Sequence, residues 1–229
     1  MRSRPQSLFA AVTAPSMRPV VGASLTLAVA VGVFAIAFGV GAVSAGGTVL
    51  QACAMSLLVF TGASQFSAVS IVASGGSTAS ALGSAMLLAA RNGVYGLTMA
   101  RHLDGSLARR LVAAQITIDE STAMATAQDD PEARRAAFWI TGCAIFVFWN
   151  VGTLIGALAG EAIDPDTYGL DAAFPAAFVA MLAPHLRTRT GRAVGIAGAL
   201  ICLALVPFAP IGVPILCSAT AVLIGLRAP

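Results

Sequence analysis

Three polar clusters stand in an otherwise apolar chain. Arg91 is followed by Asn92 and Tyr95, Asp119 and Glu120 are adjacent, and Gln65 closes the run Gly62-Ala63-Ser64-Gln65. Arg91 lies ten residues before Arg101, which in a continuous helix is about 15 Å from that end, too deep for the side chain to snorkel to water. A charge near the centre of a bilayer costs at least about 2.5–3.5 kcal/mol on insertion scales, so it must be paired or face a wet cavity. Asp119 and Glu120 sit at a similar remove from Arg110. Adjacent carboxylates point roughly 100° apart on a helix, so one arginine neutralises only one of them well. The other is free to take up and release a proton, the requirement for proton coupling. The competing role for Arg91 is a static ion pair that fixes helix register.

Gln65 donates and accepts at once, and its small neighbours leave the backbone open. The ends of a broken helix offer N–H groups to a carboxylate and C=O groups to an ammonium, a combination suited to a zwitterion. The plainer role for Ser64 and Gln65 is to join helices by hydrogen bonds. Trp149-Asn150, with Gly152-Thr153, has the same small and polar character, and Trp149 also suits an interfacial anchor. Asp171 reads as a helix cap before Pro175.

The elements that must hold these groups are membrane helices. Residues 19–90 contain no charged side chain, and the whole chain is 58% hydrophobic and 10% charged with mean hydropathy +0.87. A soluble average is roughly 25% charged. The runs are continuous rather than alternating, which excludes a β-barrel pattern. The expected fold is an all-α polytopic bundle of about eight hydrophobic segments with one or two broken or re-entrant helices: Val20–Val43, Val49–Ala73, Thr78–Arg101, Leu111–Ala127, Ala136–Ala159, Ala172–Leu186, Arg192–Val206 and Ile211–Leu226. Residues 1–19 read as a cytoplasmic leader and 20–229 as a single transmembrane transport domain.

All 13 basic residues are arginines and no run exceeds two, so they mark topology rather than a nucleic-acid surface. Arg2, Arg4 and Arg18 place the N-terminus inside, and Arg134-Arg135 and Arg187–Arg192 mark further inside loops. Eight full crossings would put Arg101, Arg109 and Arg110 outside. That conflict vanishes if Val49–Ala73 and Leu111–Ala127 are both re-entrant, leaving six crossings. Cys53, Cys143, Cys202 and Cys217 lie in apolar runs without C-x-x-C spacing, so neither a metal site nor a disulfide framework is expected, and no cofactor.

The segments Ala54–Phe66, Arg91-Asn-Gly-Val-Tyr-Gly96, Asp119-Glu120-Ser121, Trp149–Thr153 and Gly169–Phe178 resemble, in order and spacing, the AzlC family, the large subunits of branched-chain amino acid exporters. The resemblance covers about Phe38 to Leu186. It implies proton-driven export of leucine, isoleucine and valine, with methionine a further candidate, from the inner (plasma) membrane. It also implies a small membrane partner of the AzlD type. Many members carry Asn-Leu-Arg-His where this chain has Ala89-Ala90-Arg91-Asn92, so proton coupling falls here on Asp119 or Glu120. Phe60, Gly62, Ser64, Gln65, Arg91, Asn92, Tyr95 and Trp149 are the expected substrate residues. Two other classes compete. An intramembrane serine protease would use Ser64, but its only histidines, His102 and His185, sit beside arginines at helix ends. An uncoupled channel would use the acids for ion selectivity alone.

Overall fold

A computed structural model describes residues 15–162, 179, 182–183 and 185–226 of the chain. The expected leader up to Ala14, the Gly169–Phe178 motif with Asp171, and most of Ala172–Leu186 lie outside the described residues. Among the described residues the structure is helical and without strands.

The charge-free stretch after Arg18 forms α1 (Arg18–Ser44). It packs along most of its length on α7 (Pro131–Ala162), and the two helices run parallel. Ser24 is hydrogen-bonded to Thr141 at 2.7 Å, and farther along, Ile36 faces Gly156 and Val40 faces Gly160. Gly152, Gly156 and Gly160 recur every fourth residue and so line one face of α7. A Cβ on Gly156 would collide with the Ile36 carbonyl, and one on Gly39 with the carbonyl of Thr153. Such backbone approach is how helices associate in lipid, where burial of apolar surface gives little drive.

Between these helices the chain folds back twice. α2 (Val49–Val59) starts beside the C-terminal end of α1, capped by Thr48 and Gln51. Its descent is marked by Ser56 against Thr153 and then Phe60 against Phe146, one step nearer the start of α7. Gly62, at φ +62°, breaks the helix in a backbone region that side chains with a Cβ rarely adopt. α3 (Ala63–Ala73) then climbs again, bringing Phe66 to Phe38 and Trp149. α4 (Thr78–Ala100) follows, tied antiparallel to α3 by the Ser67–Ser84 hydrogen bond of 2.6 Å.

The second fold-back comes from the opposite end. α5 (Leu107–Gln115) starts with Arg109 over the Trp139 ring and rises to Ile116 against Gly142. α6 (Asp119–Thr126) returns, so that the Gln128 carbonyl accepts from Arg134 near the start of α7. Beyond the undescribed stretch come α8 (Arg189–Leu205), α9 (Val213–Ser218) and α10 (Val222–Leu226).

Only α1 and α7 among the described residues are both long and apolar enough to cross a membrane. The expected eight segments therefore do not appear as eight spanning helices. Val49–Ala73 and Leu111–Ala127 are each split into pieces of 11 residues or fewer, about 16 Å at most and half of the hydrocarbon thickness. Ile211–Leu226 is likewise divided.

Candidate functional site

The two fold-backs meet, tip to tip, beside the middle of α7. Gln115, ending α5, donates from Nε2 to the carbonyls of Leu57 at 2.8 Å and Leu58 at 3.4 Å, near the end of α2. Arg91, in the middle of α4, is ion-paired with Asp119 on the first turn of α6 and donates to the carbonyl of Thr61 at 3.4 Å. One guanidinium thus joins both tips.

Each tip is held by the side chain at the third position of the helix that follows. The Gln65 amide oxygen accepts from the N–H groups of Thr61 at 3.4 Å and Gly62 at 3.1 Å, while its nitrogen donates to the Met55 carbonyl at 3.1 Å. That last bond, spanning the break, exists because the chain has reversed. Ser121 plays the same part at the second tip. Its hydroxyl accepts from the Ile118 N–H at 3.1 Å and donates to the Ile116 carbonyl at 2.7 Å. Thr61 and Gln65 precede and enter α3 as Thr117 and Ser121 precede and enter α6. With α1 leading into the first fold-back and α4, oppositely directed, leading into the second, the two halves form an inverted pair.

A cavity of about 600 Å³ opens where the tips meet. Gly62, Arg91, Tyr95, Asp119, Glu120 and Trp149 line it, six of the residues singled out from sequence. Val31, Phe34, Phe66 and Ile145 supply an apolar wall. Phe60, Ser64, Gln65 and Asn92 do not border it. Phe60 packs on Phe146, Ser64 is hydrogen-bonded to Thr61, and Gln65 is fully buried in its capping role. Sequence reasoning passed over His185 and Thr122 as site residues, yet both line the cavity. His185 was placed at a helix end by its arginine neighbours. Thr122 falls one helical turn after Asp119, a spacing that was available to find it. Thr122 Oγ1 and Trp149 Nε1 have no hydrogen-bond partner in the structure.

Volume and chemistry together suit one small amphipathic molecule, since ligand cavities run from roughly 300 to 1,000 Å³ with few polar groups in an apolar lining. Opposed half-length hairpins around a charged cavity are an architecture that secondary transporters use. The chain is a member of the AzlC family: the family model for AzlC protein matches residues 26–163, the stretch from within α1 to just past the end of α7. Membership points to membrane transport. Two relatives from Helicobacter pylori, strains ATCC 700392 / 26695 and J99 / ATCC 700824, each described as an uncharacterized membrane protein, are 26% identical over 156 residues, 66% of this chain and 68% of theirs. No solved structure matches.

Proposed function

We propose that the protein is a secondary transporter that exports branched-chain, aliphatic amino acids from the cell in exchange for protons. The observation that carries this reading is the cavity between the two tips, whose lining combines two carboxylates and an arginine with aliphatic and aromatic side chains. A zwitterion with a branched alkyl chain has those same two halves. The inverted pair of hairpins supports alternating access, because opposed repeats can exchange conformations about a fixed midplane site.

The arginines support an inner-membrane topology with the N-terminus in the cytoplasm. With both hairpins re-entrant, Arg18, Arg101, Arg109, Arg110, Arg134 and Arg135 all gather at the N-terminal ends of α1 and α7, in keeping with the positive-inside rule. The conflict that eight full crossings created does not arise. The family resemblance adds a small AzlD-type membrane subunit, which we take to be needed for transport. In this reading Phe60, Ser64, Gln65 and Asn92 support the cavity from behind, while Gly62, Arg91, Tyr95 and Trp149 meet substrate and Asp119 or Glu120 carries the proton.

The test is efflux from cells loaded with leucine, isoleucine or valine, with the neighbouring small subunit co-expressed. Export against the gradient that collapses on adding a protonophore is expected. Flux that only follows the substrate gradient and ignores the protonophore would indicate an uncoupled channel instead. Co-purification of the small, multi-span hydrophobic product of the neighbouring reading frame with the tagged chain would identify the partner.

A further inference from the structure

The two adjacent acids are not equivalent. Asp119 is engaged by Arg91, which in turn reaches the Thr61 carbonyl, so this carboxylate is committed to joining the hairpin tips. Glu120 lines the same cavity and forms no salt bridge among the described residues. Arg91, Asp119, Tyr95 and His185 are the other ionisable groups that face it there. Arg91 is the cavity's permanent cation; it engages Asp119 through one oxygen, leaves Asp119 Oδ1 and its own Nε without partners, and makes no salt bridge to Glu120, so this second carboxylate gains from a cation of its own. Two can arrive from outside: a proton and an alkylammonium group. Phe34 and Ile145, in the same lining, offer apolar surface to an alkyl chain. Thr122 and Trp149, both more than nine-tenths buried, each add a polar atom without a partner in this lining.

We propose that Glu120 alone performs the exchange, its carboxylate holding either one proton or the ammonium group of one aliphatic amino acid, never both. This assignment rests on the transporter reading and sharpens it. On the cytoplasmic side the Glu120 carboxyl gives its proton to water as the ammonium arrives. On the other side water returns a proton and the ammonium leaves. No covalent bond forms, and coupling follows from competition for one group. Asp119 is a positioning residue.

The test measures binding to the purified chain, together with any small subunit that co-purifies, using three probes: leucine, 3-methylbutylamine, which lacks the carboxylate, and 4-methylpentanoate, which lacks the ammonium. The native protein should bind leucine and the amine, with leucine affinity weakening up to tenfold per unit as the pH is lowered. Glu120→Gln should weaken leucine and the amine at least tenfold, leave 4-methylpentanoate unchanged, and abolish the pH dependence. Glu120→Asp should restore the pH dependence, which a folding defect would not. Asp119→Asn, where it folds, should keep the pH dependence of leucine binding, whatever it does to affinity through Arg91. If Glu120→Gln binds leucine and the amine as the native protein does, with the pH dependence intact, the assignment is overturned while the transporter reading stands. If the native protein binds none of the three probes, the transporter reading falls and this assignment with it.

Discussion

The guanidinium of Arg91 and the carboxylate of Asp119 form an ion pair that bridges α4 to the first turn of α6, and the same guanidinium reaches the Thr61 carbonyl at the other tip. Its two side chains are 33% and 35% exposed and both line the cavity, so the pair is only partly buried and is weaker than a fully enclosed one. Removing either partner leaves the other beside apolar side chains without its counter-ion. Arg91→Ala and Asp119→Asn should therefore each lower thermal stability, and the double substitution should cost less than their sum. A coupling energy of about 1–3 kcal/mol is expected from a double-mutant cycle of melting curves. Strictly additive losses would mean that the pair does not hold the tips together.

The contact between α1 and α7 depends on hydrogen atoms where side chains would otherwise stand. Gly156→Leu pushes directly into the Ile36 backbone, which cannot yield as a flexible side chain could. A loss of about 1–3 kcal/mol, or failure to fold, is expected from such overpacking. Gly22→Ala and Gly93→Ala, where nothing lies within 4 Å of the added carbon, should be neutral or slightly stabilising. Melting temperatures of the three variants in one detergent give the comparison, and equal tolerance at all three positions would contradict the parallel packing described above.

Hydropathy made the two long helices and α4 legible, since apolar length alone sets where Val20–Val43, Thr78–Arg101 and Ala136–Ala159 lie, and each observed helix agrees to within a few residues. It does not report direction. The reversal at Gly62 and that at Thr117 are decided by hydrogen bonds from Gln65 and Ser121, side chains whose apolar neighbours look the same in a straight helix and a folded one. Mid-segment polarity at Thr61–Gln65 and Asp119–Glu120 marked where breaks could fall, and the arginine bias showed that two of them would resolve the topology. Charge alone points to a pairing of Arg91 with one of the two adjacent acids, and the structure shows Asp119 to be the one. The Gly152, Gly156, Gly160 face went unread although its four-residue spacing was in plain view. In the sequence Gln65 has the donor and acceptor of a ligand group; in the structure both are consumed in holding the chain reversal.

That capping role makes Gln65 a structural residue with a measurable signature. Gln65→Ala empties a fully buried side-chain position, leaves the Thr61 and Gly62 N–H groups without this acceptor and breaks the tie across the reversal to the Met55 carbonyl. Each orphaned group costs roughly 1–3 kcal/mol. Gln65→Glu keeps the acceptor for Thr61 and Gly62 but loses the donor to Met55, so its melting temperature should fall between those of the native chain and the alanine variant. If the alanine variant melts like the native protein and only substrate affinity changes, Gln65 contacts the ligand after all.

The fold-backs also make a topological prediction that straight helices would not. In a cysteine-free background, with Cys53, Cys143, Cys202 and Cys217 replaced, Ser44→Cys and Ser74→Cys flank the first hairpin, and Asp104→Cys and Asp129→Cys flank the second. All four positions are exposed. A membrane-impermeant maleimide added to intact cells should label Ser44→Cys and Ser74→Cys together, while Asp104→Cys and Asp129→Cys should react only after permeabilisation. A continuous crossing through Val49–Ala73 would put residues 44 and 74 on opposite sides and give them opposite labelling. The inside location of 104 and 129 follows from the arginines beside them, and the shared side of each pair follows from the hairpins, so the two parts of the outcome fail separately. Labelling of both pairs from outside would refute the inside placement of residues 104 and 129 and leave the hairpins standing, because each pair would still share one side.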